Sequence, residues 1–417
     1  MTDLPGMPDE TSIGRLFPWL RLVRALGMAL DPKKLVLAAV ALIVLPIGWE
    51  GLDRLFGLDD SRASARAYAA EIPRLGDATG PWNRVEVRPA EASGSFSFAL
   101  GTTFTPSWSA GPWLMTEPVR VLAGPFLRIF SSGNTIGGFA HAVLSALWGV
   151  VVGGLIGGAI ARIAVVQAAR EERVGLRAAV RFARRHWFPL IGTPLGPMVS
   201  IAFFALPVAL FGLLYRVPGI GPGAAGVLLF LPLLAGLVMS IIVVGLAAGW
   251  PLMASAVAAE DEDAFDALSR SYAYINQRPG HYAAYVILAW LIGIVGWAFV
   301  AVLATLVVQL THWALSIGAS GELLDPLFDQ TAIAGWPRSA HAFWLSLVRL
   351  LAHAWIYAYF WSAAALIYLL LRRAVDGTPW HEVAGSVEPD PAAEALEVPD
   401  VGHAKPVPTE PAPEVVP

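Results

Sequence analysis

The chain alternates long apolar runs with short polar segments. Six runs are nearly free of acidic residues and approach or exceed the roughly 20 residues that an α-helix needs to cross a bilayer. We therefore predict an all-α fold, a polytopic membrane helix bundle of about six transmembrane helices with amphipathic interfacial helices between them. The predicted spans are residues 35–49, 139–167, 188–215, 224–253, 282–308 and 343–371.

The second predicted span carries small residues on one helical face. They recur at every fourth position and therefore line up along the helix. Small residues let a neighbouring backbone come close inside a bilayer, where water cannot drive packing. We predict that this stripe is a helix-packing surface, formed by Ser145, Gly149, Gly153, Gly157 and Ala161.

The chain becomes abruptly basic after this span. Four arginines share one face of the helix that is predicted next, and apolar residues occupy another face. This pattern is typical of a helix lying in the membrane interface against anionic head groups. We expect it to contact anionic lipids of the inner leaflet, whereas nucleic acid is not an expected partner of so short a loop beside a bilayer. The candidate head-group contacts are Arg173, Arg177, Arg181 and Arg184.

Positive charge predicts the orientation of the spans. Most of the 28 lysines and arginines fall on segments that would lie together on one side of the membrane. Because short cytoplasmic loops carry an excess of these residues, we predict a multi-pass protein of the bacterial cytoplasmic (inner) membrane with both termini in the cytoplasm.

These assignments divide the chain into segments. Residues 1–34 are predicted to be a cytoplasmic interfacial segment, 35–50 the first transmembrane helix and 51–137 an extracytoplasmic loop domain. A five-helix membrane domain is predicted over 138–372, and a disordered cytoplasmic tail over 373–417, which is rich in Pro and Glu.

Two finer features are expected within these segments. Helical spacing of apolar residues over 117–130 predicts a surface helix on the outer leaflet, broken at Gly124-Pro125. A second cytoplasmic amphipathic helix is predicted over 263–277, and its acids at the start fit the helix dipole better than a cation site. Its pattern matches the basic helix, so 139–215 and 224–308 are either an internal repeat or a chance likeness.

Composition excludes several kinds of chemistry. The 417-residue chain is 56% hydrophobic and only 14% charged, against roughly 25% charged in soluble domains. It has no cysteine, which excludes disulfides, thiol nucleophiles and thiolate metal sites. It also lacks the H-E-x-x-H, G-x-S-x-G and Walker motifs. We predict no catalytic residue, no cofactor and no metal site, and a chain that is not an enzyme.

The sixth predicted span contains the most suggestive polar residues. Arg349, His353 and Tyr357 recur every four residues and share one helical face. Ionisable groups inside a bilayer need partners or a water-filled cavity, and the candidate partners at this depth are Glu50, Gln309 and His312. Two interpretations stay open: a polar pathway or binding site, or an arginine that reaches outward to phosphates beside a histidine that bonds a neighbouring helix.

Three segments resemble parts of known membrane proteins: GGAIARIAVVQAAREE, EDEDAFDALSRSYAYINQRP and YLLLRRAVDGTPWHEV. They are similar to segments of uncharacterised six-helix bacterial integral membrane proteins. More distantly, they resemble the membrane domain attached to some glycerophosphodiester phosphodiesterases. The resemblance implies a helical membrane fold without an established activity, and the phosphodiesterase chemistry does not carry over because the soluble catalytic domain is missing.

Two classes of function fit these features best. The first is a non-enzymatic scaffold or accessory component that interacts with membrane lipids or with unidentified membrane protein partners, a second copy of the chain included. The alternative is a transporter or channel for a small solute or lipid that uses the polar face of the last helix. An enzyme of lipid metabolism is the third and least favoured hypothesis.

Overall fold

Each predicted span is helical in the computed structural model of the chain, which describes residues 18–57, 114–130, 135–319, 324, 336–380 and 382–383. No strand occurs within these ranges. Short 3₁₀ segments precede the first α-helix at Pro18–Val23 and follow the sixth at Leu213–Arg216. The α-helices are labelled in chain order: α1 (Arg24–Ala29), α2 (Pro32–Leu55), α3 (Glu117–Ile129), α4 (Ile136–Arg170), α5 (Leu176–Arg185), α6 (Trp187–Gly212), α7 (Gly221–Leu228), α8 (Phe230–Glu260), α9 (Ala264–Gln277), α10 (Pro279–Gly318) and α11 (Trp336–Asp376).

Within the described part of the chain, six helices are long and apolar enough to cross a membrane, namely α2, α4, α6 with its 3₁₀ extension, α8, α10 and α11. The prediction of an all-α bundle with about six transmembrane helices is therefore confirmed, and the chain is a multi-pass membrane protein. The helices are longer than the predicted spans because each also includes polar turns beyond its apolar run. The fourth predicted span is divided between the short α7 and the long α8.

The spanning helices form an inner and an outer group. In α4 and α11, 83% and 94% of the residues of the apolar window are buried inside the protein, whereas in α6 and α8 only 6% are buried. Helices that are apolar all round and central to a bundle bury all faces, while peripheral ones turn an apolar face to lipid. The core is therefore built around α4 and α11, with α2 beside them.

Capping residues define where two helices begin. The Asp31 carboxylate accepts a hydrogen bond from the Lys33 amide at 3.0 Å, and Pro32 occupies the first turn of α2. The Asp263 carboxylate accepts hydrogen bonds from the amides of Phe265 at 2.9 Å and Asp266 at 3.0 Å. The acids at the start of α9 thus stabilise the helix end, which agrees with the helix predicted over 263–277.

The junctions after α4 and α8 share an unusual backbone conformation. The residue that caps the C-terminus of α4, Glu171, has φ 59°, and the one that caps α8, Asp261, has φ 58°. This left-handed conformation is costly for residues other than glycine, by about 1–2 kcal/mol. Each junction leads into a short helix, α5 or α9, and both of these contact α6. The internal repeat stays a prediction. The left-handed residue after both helices is one more similarity between its two halves.

Helix α3 differs from its prediction. It is continuous from Glu117 to Ile129 with Pro125 inside it, so the predicted break at Gly124-Pro125 is wrong. One side of α3 packs into the bundle, because Val121 belongs to a core cluster with residues of α2 and α4, and Phe126 to one with residues of α4, α6 and α8. Its other side is exposed at Val119 and Leu127. An amphipathic pattern looks the same whether its apolar side meets lipid or protein, and here it meets protein.

The predicted packing stripe of α4 is buried along its whole length, at Ser145, Gly149, Gly153, Gly157 and Ala161. Its neighbours are large side chains of several helices. A Cβ added at Gly157 would lie 2.3 Å from the Trp361 ring of α11, and one added at Gly153 would lie 3.1 Å from Leu122 of α3. The close backbone approach occurs one position away, since a Cβ at Gly154 would lie 2.8 Å from the Leu190 carbonyl oxygen of α6.

Candidate functional site

The polar face of α11 is closed by a carboxylate from α3. His353 Nε2 lies 2.7 Å from Glu117 Oε1, and the Tyr357 hydroxyl donates a hydrogen bond to the same oxygen at 3.2 Å. Exposure is 1% for Glu117, 2% for His353 and 4% for Tyr357. These three side chains therefore form a buried polar cluster in the middle of the bundle, which we call the α3–α11 cluster.

Local sequence explains this geometry. His353 and Tyr357 are four residues apart and so project from adjacent turns of one helical face. Glu117 is the first residue of α3, where the helix dipole favours a negative charge. A buried carboxylate needs hydrogen-bond donors, and both α11 side chains supply one. The three side chains thus form a hydrogen-bonded link between α3 and α11.

The other members of the predicted polar site lie as follows. Glu50 of α2 has a carboxylate oxygen 4.0 Å from Arg54, four residues along the same helix. His312 of α10 is 8% exposed, while Gln309 and Arg349 are half-buried. The partner of His353 is thus Glu117, which was not among the predicted residues. The sequence signal for Glu117 was its position as an acid at the start of the predicted 117–130 helix.

A second histidine–carboxylate pair joins α2 to α4. His141 Nε2 lies 2.8 Å from Asp53 Oδ1 and 3.5 Å from Ser145 Oγ, and all three side chains are buried. A serine–histidine–aspartate relay requires the serine and the acid on different ring nitrogens. Because both contacts fall on Nε2, the arrangement does not fit nucleophilic catalysis. Ser145, predicted as a packing residue, also accepts a hydrogen bond at its carbonyl from Trp49 Nε1 at 3.0 Å.

All four predicted head-group arginines are exposed. Three lie on α5 (Arg177, Arg181 and Arg184), whereas Arg173 lies in the non-helical segment that precedes it, so the predicted helix begins later than expected. Apolar Val180 of α5 and Trp187, the first residue of α6, are also exposed, by 45% and 55%. The opposite side of α5 is fixed to the bundle by buried Ala179 and Ala183, and by the Arg162 guanidinium of α4 lying 4.8 Å from the centroid of the Phe182 ring. The exposed side of α5 thus carries guanidinium groups near apolar side chains, a combination typical of interfacial helices.

An ionic network joins α8, α9 and α11 at the same end of the bundle. Glu260 accepts a hydrogen bond from the Tyr368 hydroxyl at 2.8 Å, and its oxygens lie 2.6 Å from Arg270 and 2.8 Å from Arg372. Arg270 also contacts Glu262. Burial raises the pKa of Glu262 to about 6, with like-charged neighbours adding to the effect of burial and Arg270 opposing it.

The two carboxylates of this network raise the pKa of Arg270. Burial alone would lower the pKa of Arg270, but the carboxylates of Glu260 and Glu262 raise it above its ordinary value. The network therefore links α8, α9 and α11 through ion pairs. Among the described residues, no group of three or more His, Asp or Glu side chains is arranged to hold a metal ion.

The helices α8 and α10 are separated by an apolar groove of about 220 Å³ whose floor is α11 and whose end is the start of α3. An adjoining groove of about 170 Å³ lies between α3, α8 and α11. Neither of these two grooves is lined by a residue of the α3–α11 cluster.

Comparison of the chain with family models, with curated proteins and with solved structures finds no match.

Proposed function

We propose that this chain is a non-enzymatic component of a bacterial cytoplasmic membrane that organises lipids or partner proteins. The observation that carries the proposal is the closure of the α3–α11 cluster. The transport hypothesis requires the polar face of the last helix to be wet, but His353 and Tyr357 on that face are bonded to Glu117. A transport site needs a ligand-accessible cavity, whereas a satisfied buried cluster ties helices together.

Two surface features support a role at the lipid interface. The apolar outer faces of α6, α8 and α10 form a wide surface for the acyl chains. The exposed arginines of α5 lie at the end of the bundle where α9 also lies, and basic interfacial helices favour the anionic inner leaflet. With α5 on the cytoplasmic side, both termini are proposed to be cytoplasmic.

Cysteine labelling tests the proposal because the natural chain has no cysteine. We would introduce single cysteines by His353→Cys, Arg177→Cys and Arg216→Cys and add a charged, membrane-impermeant thiol reagent from either side of sealed vesicles. We expect Arg177→Cys to react only from the cytoplasmic side and Arg216→Cys only from the outside, while His353→Cys stays unreactive from both.

The opposite outcomes are equally specific. Rapid reaction at position 353 from either side would establish water access and favour the transporter or channel. Reaction of Arg177→Cys only from the outside would invert the proposed topology. Affinity purification in mild detergent, followed by identification of co-purifying lipids and proteins, then distinguishes a lipid partner from a protein partner.

A further inference from the structure

The groove between α8 and α10 has the shape and chemistry of a binding site within the membrane. Its volume is about 220 Å³. Its walls come from the two helices that flank α11 on either side, and its lining includes Ala247, Pro251, Val286, Ala289 and Ala363. Small residues at the lining leave space that larger side chains would fill.

This groove opens sideways toward lipid. Val119 and Val286 line it and are each 39% exposed. Both walls belong to helices that are apolar enough to span a membrane. The adjoining groove shares Val119, Ala247, Pro251 and Phe360 with it, so the two form one apolar channel along the surface of the bundle.

The polar atoms of the lining tyrosines are already bonded to protein. The Tyr282 hydroxyl donates to the Ala248 carbonyl at 2.7 Å, and the Tyr359 hydroxyl donates to the Ala289 carbonyl at 2.6 Å. Neither hydroxyl therefore needs a polar ligand. A site whose polar groups are satisfied and whose lining is apolar favours a hydrocarbon occupant.

An exposed arginine lies just beyond one end of the groove. Tyr282 lines the groove, and its amide donates to the Arg278 carbonyl at 3.0 Å, so Arg278 lies one helical turn earlier at the start of α10. Arg278 and His281 are both exposed. They lie at the end of the bundle that carries α5 and α9, where a phospholipid head group would be found if its tail entered the groove.

From this arrangement we infer that the groove binds one acyl chain of an anionic phospholipid whose head group lies at Arg278 and His281. The inference rests on the proposed function, and it names the class of lipid and the place where it binds. Because lipid already surrounds the tail, it gains only van der Waals packing against the alanine-lined floor, and an arginine near the membrane surface adds electrostatic attraction for an anionic head group.

Photo-crosslinking tests the inference in the full-length protein in lipid nanodiscs. The probe is a phosphatidylglycerol with a diazirine in its acyl chain, and a phosphatidylcholine with the same chain is the comparison. We expect adducts on α8, α10 and α11 peptides that line the groove. Ala247→Trp, which fills the groove, should reduce them at least fivefold, while the matched Ala209→Trp on the exposed face of α6 should leave them unchanged.

The head-group arm uses Arg278→Gln. It should lower the preference for phosphatidylglycerol over phosphatidylcholine about fivefold, as expected for one arginine near the surface. If Ala247→Trp fails to fold, Val286→Trp on the opposite wall replaces it. Adducts spread evenly over the outer faces of α6, α8 and α10 and insensitive to groove filling would overturn the inference, as would protein–protein adducts showing that a polypeptide occupies the groove.

Failure of this inference and failure of the proposed function are distinguishable. Reactivity of a cysteine at position 353 refutes the closed cluster whether or not lipid enters the groove. Conversely, unspecific lipid adducts refute the groove site and leave the labelling result at position 353 untouched.

Discussion

Replacing Glu117 by alanine tests the α3–α11 cluster most directly. The substitution removes the acceptor of two contacts, from His353 at 2.7 Å and from Tyr357 at 3.2 Å. Hydrogen bonds to charged groups contribute about 1.5–3 kcal/mol each in water-soluble proteins. Inside membranes the average is lower, about 0.6 kcal/mol with a maximum near 1.7, because the unfolded chain also finds partners.

The burial of the cluster decides which of these hydrogen-bond energies applies. Glu117 and His353 are almost completely buried, and each buried hydrogen-bonding group that loses its partner costs about 1–3 kcal/mol. Allowing for the membrane reference state, we expect Glu117→Ala to lower the free energy of unfolding by about 3 kcal/mol. Tyr357→Phe, which removes only the longer contact, should cost about 1 kcal/mol.

The assay is unfolding by sodium dodecyl sulfate in mixed micelles, followed by the fluorescence of the 16 tryptophans. The control is Glu50→Ala, since Glu50 and Arg54 form an exposed i,i+4 pair whose side chains are 35% and 73% exposed. Exposed pairs are worth about 0–1 kcal/mol. If Glu117→Ala cost no more than Glu50→Ala, the reasoning from burial would be refuted.

Three further predictions follow from packing, protonation and surface charge. Gly157→Ala should cost about 1–3 kcal/mol because the new methyl meets the Trp361 ring, whereas Gly137→Ala in the same helix has open space and should be neutral or slightly stabilising, as measured by the same unfolding assay. Burial raises the pKa of Glu262 from 4.5 to about 6, so the folded state binds this proton more readily than the unfolded state. The free energy of unfolding should therefore fall as pH rises between these values. In a series of thermal melts at different pH, Glu262→Gln should flatten this fall, whereas Glu172→Gln at an exposed position should not. Replacing all four predicted head-group arginines by glutamine should reduce the anionic lipid that co-purifies, by about 1 kcal/mol of binding free energy per arginine, and lipid mass spectrometry showing no change would contradict the assigned role of α5.

The fold was predictable from the sequence because the bilayer limits what an apolar run can become. Within hydrocarbon, backbone groups must be satisfied internally, so each run had to be a helix. The start of α9 was predictable for a local reason, since the Asp263 side chain caps the helix that follows it within three residues. A cap of this kind involves residues that are close in sequence, so a short stretch of sequence is enough to predict it.

The candidate site was only half predictable. His353 and Tyr357 share a helical face, which their spacing of four residues makes evident. Their partner Glu117 is 236 residues away from His353, on a helix that follows a long segment without a clear pattern. The pairing of Asp53 with His141 has the same character, since the two residues belong to different helices and are 88 positions apart. Which polar residues meet is decided by how helices pack, and the periodicity of one helix does not contain that information.

Packing of apolar surface alone cannot fix the position of α3. Inside a bilayer, leucine gains little by exchanging a lipid neighbour for a protein neighbour, so apolar contacts discriminate weakly between arrangements of helices. Glu117 discriminates strongly, because in hydrocarbon its carboxylate would lack the donors that His353 and Tyr357 provide. This gives Glu117→Gln a distinct meaning. An amide retains an acceptor oxygen for the two donors but cannot exchange a proton, so a structural role for Glu117 predicts a variant that folds, purifies and binds lipid like the natural chain. A proton-transferring role predicts a folded variant that has lost its activity, and the two hypotheses about the last helix therefore separate at this single carboxylate.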